Sequence, residues 1–344
     1  MTTPRSDGTD ALSKLLSERD WLMADGATGT QLFNMGLTTG DAPELWNVDH
    51  PERITRLYSE AVEAGSDMFL TNTFGSNAAR LKLHDAQDRS FELSRVAAEI
   101  GREVVDKAGR PVVVAGSMGP TGEIMAPLGP LTHSAAVEIF HEQAEGLKAG
   151  GADVLWVETI SAPEELKAAA EAVALADMPW VCTMSFDTAG RTMMGVTAPK
   201  MTSIVGRYPN KPIAFGANCG VGSADLLRTI LGFGADDAVI ISKGNAGIPK
   251  YQDGHILYDG TPELMANYAC LARDAGARII GGCCGTTPVH LRAMREALET
   301  RPRKEVPSLE TIEAEMGAFS SALDGTEAES EAPARRINKR RARA

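Results

Sequence analysis

Ala277-Arg278-Ile279-Ile280-Gly281-Gly282-Cys283-Cys284-Gly285-Thr286-Thr287 joins a short apolar run to a helical pattern over 288–298. Read as strand, turn and helix start, it is one βα unit, and its turn carries two adjacent thiols. Alternation along a strand throws neighbouring side chains to opposite faces. Both sulfurs can therefore meet one ion only where the strand has ended and the flanking glycines let the backbone turn. A borderline-soft ion such as zinc prefers thiolates, and two do not complete a tetrahedral site, so a third ligand must come from elsewhere. Phe215-Gly216-Ala217-Asn218-Cys219-Gly220 is a second apolar run ending in cysteine and glycine, which makes Cys219 the candidate. The plainer reading of Cys283 and Cys284 is a vicinal disulfide or two inert buried thiols.

The same unit recurs upstream. Apolar runs at 21–24, 68–71, 112–115, 154–157, 180–184, 213–216, 238–241 and 278–280 alternate with amphipathic stretches such as 51–64, 91–108, 135–149, 163–176 and 262–275. Glu63-Ala64-Gly65-Ser66-Asp67, Lys148-Ala149-Gly150-Gly151-Ala152-Asp153 and Asp274-Ala275-Gly276-Ala277 each stop a helix with a glycine just before a strand, as at the αβ junctions of a parallel sheet. Eight near-regular units over about 250 residues suit a (β/α)8 TIM barrel, placed at 19–300, better than an open doubly wound sheet.

In such a barrel the chemistry collects at the C-terminal ends of the strands, and the polar residues of this chain stand there. Successive strands lead into Asp25-Gly26-Ala27-Thr28, Thr71-Asn72-Thr73-Phe74, Gly116-Ser117, Glu158-Thr159, Ser185-Phe186-Asp187, Asn218-Cys219, Lys243-Gly244-Asn245 and Cys283-Cys284. Thr28 and Thr73 are more often turn or cap hydroxyls. Asp25 and Glu158 directly follow apolar runs and have no cationic neighbour in sequence. Desolvation makes a substrate cation their expected partner.

Composition narrows the function classes. With 344 residues, 43 % of them hydrophobic, the chain can bury a large core. A net charge of −12 argues against general nucleic-acid binding. No apolar run approaches the ~20 residues of a membrane span. Five cysteines, and a polar first stretch without an apolar signal core, point to a reducing, cytoplasmic setting rather than a disulfide scaffold. Residues 1–18 are expected to form a weakly structured arm. Residues 301–344 are expected to form an extension with one short helix within 309–323 and a largely disordered tail, acidic and then basic.

Asp25-Gly26-Ala27-Thr28-Gly29-Thr30, Thr71-Asn72-Thr73-Phe74, Asn218-Cys219 and Gly281-Gly282-Cys283-Cys284-Gly285-Thr286 together resemble the homocysteine S-methyltransferase family over about residues 20–300. The resemblance implies a (β/α)8 barrel with catalytic Zn2+ on Cys219, Cys283 and Cys284 at its C-terminal mouth. It implies homocysteine contacts at Asp25, Gly26, Thr73 and Glu158, with Asn218 as a support beside the metal. Zinc with three protein thiolates and one open position would bind homocysteine's thiol, depress its pKa and keep it nucleophilic toward a methyl donor. Whole-chain likeness to bacterial members labelled betaine-homocysteine methyltransferases makes glycine betaine the expected donor, with Trp46 and Phe74 facing its trimethylammonium. The animal betaine enzyme carries tyrosines where this chain has Gly75-Ser76-Asn77 and Thr159-Ile160, so its donor pocket is not reproduced. The alternative donors are S-methylmethionine and methylcobalamin. The latter would arrive on a separate corrinoid carrier protein, making this chain the homocysteine-activating part of a split cobalamin-dependent methionine synthase. Other ligands are expected to be small molecules, with no nucleic acid and no membrane, and a homo-oligomer is left open.

Overall fold

The strands are β1 (Leu22–Met23), β2 (Met68–Leu70), β3 (Val113–Met118), β4 (Val154–Ile160), β5 (Trp180–Met184), β6 (Ala214–Cys219), β7 (Ile240–Gly244), a hairpin of β8 (Pro249–Gln252) and β9 (His255–Tyr258), and β10 (Ala277–Gly282). All but the hairpin share one parallel sheet in the order β1, β10, β7, β6, β5, β4, β3, β2, which curls into the expected TIM barrel. The computed structural model describes residues 10–187, 189–234, 238–247, 249–252 and 255–322. Amphipathic helices fill the crossovers. Pro51–Glu63, Ser90–Lys107, His133–Ala149, Pro163–Leu175, Pro262–Asp274 and Pro288–Thr300 fall within a residue or two of the stretches read from periodicity. β3, β4, β6 and β7 run three residues further toward their C-terminal ends than their apolar runs, because polar residues there still pair in the sheet.

Closure between β1 and β2 uses side chains in place of a full ladder. β1 is two residues long, and one backbone bond, Asp67 N–H to Met23 O at 2.7 Å, crosses the seam. Carboxylates supply the rest: Asp67 Oδ2 accepts the Met23 N–H at 2.9 Å, and Asp25 Oδ2 accepts the Leu70 N–H at 2.8 Å. Asp67 is almost fully buried and is charge-balanced by Arg19 at 2.6 Å and Arg295 at 2.9 Å, with Arg110 at 3.5 Å.

The barrel interior is filled by every second strand residue. Leu22, Met68, Val113, Val154, Val181, Ala214, Ile241 and Ile279 form one buried cluster with Leu70, Ala115 and Trp156. The same cluster contains Leu12, Leu15 and Leu16. In place of the weakly structured arm expected over 1–18, Ala11–Glu18 is a helix capped by Asp10, whose carboxylate accepts the Ser13 N–H at 2.8 Å. Its three leucines, at i, i+3 and i+4, plug the floor of the barrel. An Asp before that pattern is a readable helix start that the polar flanks concealed; residues 1–9 lie outside the described region.

At the other end, the helix Leu309–Met316 buries Ile312, and the chain beyond it is tied to the helix Ser223–Leu231. Asp225 accepts the Ser320 N–H at 3.0 Å, and Arg228 donates to Ser321 O at 2.8 Å while stacking on Phe319. The described part of the extension is thus docked on the barrel. The acidic and basic stretches beyond residue 322 lie outside the described region.

Leu12 is fully buried, so Leu12→Ala removes a plugging side chain from a packed floor. The expected loss is ~2 to 4 kcal/mol of unfolding free energy in a denaturant titration. A change below ~0.5 kcal/mol would mean that the helix is not seated in the barrel.

Candidate active site

The inward rows continue from apolar into polar residues without a change of period. Val113 and Ala115 lead to Ser117, Val154 and Trp156 to Glu158, Val181 to Thr183, Ala214 to Asn218, Ile241 to Lys243, and Ile279 to Cys283. Ser117, Glu158, Thr183, Asn218 and Lys243 are all buried, and they form the floor of the C-terminal mouth.

Above that floor, the sulfurs of Cys219, Cys283 and Cys284 lie within 4.8 Å of one another, and all three are free thiols of intermediate exposure. Cys283 and Cys284 are not joined to each other in this arrangement. Parity alone would turn Cys219 away from Asn218, out of the barrel. Instead Cys219 sits in the left-handed region at φ 62°, followed by Gly220 at φ 73°, and this reversal brings its sulfur to the other two. For a residue with a Cβ such a conformation costs of the order of 1 to 2 kcal/mol, a cost that recurs at functional sites. Gly282 has a steric reason to be glycine, because a Cβ there would lie 2.2 Å from the Thr286 side chain. Asn245 ties the two thiol-bearing turns together, accepting the Cys284 N–H at 3.1 Å and donating to Gly220 O at 2.9 Å.

The protons of the cluster are shared unequally. Hydrogen bonds from Cys219 and Cys283 hold the Cys284 thiol down to about 3. The same bonds from the other side, with burial, push Cys219 far above the usual thiol range. Three converging sulfurs, one of them a thiolate, are the donor set of a borderline-soft divalent ion and leave a further position open.

The carboxylates are placed differently from one another. Glu158 accepts from Ser117 Oγ at 2.5 Å, and burial pushes its carboxyl up to about 7 against the opposing pull of Lys243 and Ser117. The next residue, Thr159, is also left-handed at φ 61° and is held by Asn218, which accepts its N–H at 3.0 Å and donates to its Oγ1 at 2.8 Å. Asn218 Nδ2 also lies 3.9 Å from Cys283 Sγ, so this one amide links the Glu158 turn to the thiols. Asp25, expected to lack a cation, has one from the far end of the chain: Lys243 Nζ lies 2.5 Å from Asp25 Oδ1, with the Leu70 N–H on the other oxygen. Lys243 was visible as an end-of-strand residue, and its parity with Ile241 was the signal that it faces inward.

The other expected site residues have roles within the fold. Gly26 lets the turn after β1 sit on the turn after β10, since a Cβ would lie 2.6 Å from Thr286 O. The Thr73 hydroxyl is buried, donating to Ser117 O at 2.7 Å beside Thr71 Oγ1 at 2.6 Å. Trp46, expected to face the donor, is buried, edge-on to His50, with the Arg53 guanidinium 4.5 Å over its ring. Phe74 is half-buried with Arg80 6.0 Å from its centroid, and Trp156 has Lys243 at 5.3 Å. Trp46, Phe74 and Trp156 thus each already face a cation of the protein.

Fold and site together define a TIM barrel with a three-thiol centre built from its sixth and eighth strands. Residues 22–298 match the homocysteine S-methyltransferase family, and the chain belongs to it. Among curated relatives, methionine synthase of Mycobacterium tuberculosis is 32 % identical over 88 % of this chain. That of Mycobacterium leprae is 31 % identical over 80 %. The chain spans only about a quarter of these relatives, 27 % and 24 % of their lengths. Among solved structures, the homocysteine methyltransferase MmuM from Escherichia coli in its metallated form superposes with a TM-score of 0.68 at 25 % identity, covering 83 % of this chain and 99 % of that one. Its oxidized form gives the same score and identity.

Proposed function

We propose that the chain transfers a methyl group to the sulfur of homocysteine, and that Cys219, Cys283 and Cys284 hold the zinc ion that activates it. The observation that carries this reading is the convergence of three free thiols within 4.8 Å at the barrel mouth, directly above Glu158 and Asn218. When bound, zinc supplies a Lewis acid that lowers the pKa of a coordinated thiol toward neutrality. The protein's own residues do the rest by alignment. Glu158, fixed by Ser117 and by the Asn218-held turn, is set to accept the ammonium of the amino acid. The strand-borne floor keeps water from beneath the reacting sulfur.

Glycine betaine was the donor expected from sequence, and Phe74, half-buried with Arg80 6.0 Å from its centroid, is the more accessible of the two rings assigned to it. A second reading is favoured by the occupied aromatic faces: a methyl group brought by a separate corrinoid carrier protein, which needs no quaternary-ammonium cage. Relatives named methionine synthase, about four times longer than the match, support that second reading. Methionine formation by the purified protein should be assayed with glycine betaine, S-methylmethionine and carrier-borne methylcobalamin in parallel. Turnover with any one establishes the acceptor and names the donor. No methionine with any of them would overturn the reading.

Two further outcomes are expected. The protein should purify with about one zinc per chain. Cys284→Ala should lose it while keeping a cooperative unfolding transition, whereas Cys182→Ala should keep it, because Cys182 is buried in β5. Full zinc retention in Cys284→Ala would contradict the ligand assignment. Secondly, Glu158 must be ionised to hold an ammonium, and its carboxyl titrates near 7, so homocysteine affinity should fall as pH drops through that value. Glu158→Gln should bind more weakly and lose this inflection; an unaltered pH profile in the variant would exclude Glu158 from the contact.

A further inference from the structure

Two of the three cationic side chains buried among the described residues, Arg228 and Arg273, lie on outer helices, where guanidiniums ordinarily reach solvent. The C-terminal extension lies over both, and both are engaged by its backbone. Arg273 donates to Arg301 O at 2.8 Å and Pro302 O at 2.9 Å, where the extension begins. Arg228 donates to Ser321 O at 2.8 Å, near the end of its described part. Between these points Ile312 is fully buried. The far end is a clasp. Asp225 accepts from Arg228 at 2.8 Å on one oxygen and from the Ser320 N–H at 3.0 Å on the other, and the Arg228 guanidinium lies 4.5 Å from the centre of the Phe319 ring.

The helix beneath this clasp, Ser223–Leu231, follows Cys219 after only three residues, 220–222. Eight of its nine residues are buried, against five of thirteen in the outer helix Pro51–Glu63, so it is covered on the side away from the barrel as well. Gly222 stands at its N-cap and has no side chain to hold the helix start. Asp225, three positions on, where a carboxylate can turn back to that start, is engaged by the clasp instead. The turn that carries Cys283 and Cys284 is anchored differently. In the helix after it, His290 Nδ1 accepts the Thr287 N–H at 3.0 Å, which leaves Nε2–H to donate to Gly260 O at 2.8 Å. One thiol-bearing turn thus has an anchor in its own helix start, whereas the helix after Cys219 has its anchor in the extension. Cys219 is also the ligand candidate with a left-handed φ of 62°, a conformation that persists only where its surroundings over-determine it.

Resting on the reading that Cys219, Cys283 and Cys284 hold zinc, we propose that residues 301–322 form a strap that fixes the helix Ser223–Leu231 and, through it, the Cys219 sulfur. Asp225, Arg228 and Phe319 are then positioning residues for the metal, acting through the backbone of 220–222.

The test measures zinc affinity, by competition with a chromogenic chelator, alongside the denaturant midpoint of the full chain. Removing one partner of a buried pair strands the other, so the clasp is opened by the Asp225→Asn/Arg228→Met double variant and, separately, by Phe319→Ala. Leu12→Ala is the control, because it lowers stability from the barrel floor, away from the strap. A general loss of stability leaves the affinity of the folded molecule unchanged, since the metal binds that state. The double variant should bind zinc ~10-fold more weakly, the lower end of what a residue supporting a metal ligand contributes, and Phe319→Ala should shift affinity in the same direction. Leu12→Ala should keep wild-type affinity whatever stability it loses. Wild-type affinity in the double variant, or an equal weakening in Leu12→Ala, overturns the proposal and leaves the ligand assignment standing. If the double variant does not fold, Phe319→Ala decides on the same terms. If wild type binds no zinc, or Cys284→Ala binds it as tightly as wild type, the ligand assignment fails and the proposal with it.

Discussion

The inside of a parallel barrel is filled by every second residue of each strand, and the alternation that packs its floor also decides what faces its mouth. Here the rows that begin with Val113, Val154, Ala214, Ile241 and Ile279 end in Ser117, Glu158, Asn218, Lys243 and Cys283. The site is therefore the top layer of the core, and its side chains inherit the rigidity of strands. Where alternation would have pointed a needed group the wrong way, the backbone departs from it. Cys219 and Thr159 both take left-handed conformations at strand ends, and Asn218 spans the two turns. Strain of this kind persists only where surrounding bonds over-determine it, and the amides of Asn218 and Asn245 supply those bonds.

Charge is handled with the same economy. The weakest part of the cylinder, the short β1 against β2, is closed by carboxylates that stand in for missing backbone acceptors. At the floor, Asp67 is neutralised by arginines from three segments, a purely structural use. At the mouth, Asp25 closes the seam with one oxygen and holds Lys243 with the other, so a structural carboxylate also orients the site's cation. Removing either partner of such a buried pair exposes the other's desolvation cost, commonly 3 to 5 kcal/mol or roughly that. Variants that change both together are accordingly the informative ones.

Much of this was legible in sequence, and the failures have physical causes. Eight apolar runs with glycine-stopped helices between them gave the barrel, and Cys219, Cys283 and Cys284 were identifiable as strand-end thiols. Strand ends were set too early because polar residues such as Ser117 and Lys243 do not read as strand, although their parity continues the apolar rows. The floor helix was missed because its three leucines, Leu12, Leu15 and Leu16, are embedded in polar sequence. Trp46 was assigned to the donor from its neighbourhood alone. Sequence does not display the Arg53 guanidinium that covers its ring. The Asp25–Lys243 pair, 218 positions apart, was beyond local reading altogether.

The central claim is that three thiols from two barrel strands form one metal centre with a single position for the substrate sulfur. Zinc K-edge X-ray absorption on the purified, zinc-loaded protein, with and without homocysteine, addresses it directly. The account predicts three sulfur scatterers per zinc in the free protein and four when homocysteine is added, at the Zn–S distance of about 2.3 Å expected for thiolate ligands. Two sulfurs in the free protein, or a count that homocysteine leaves unchanged, would contradict it.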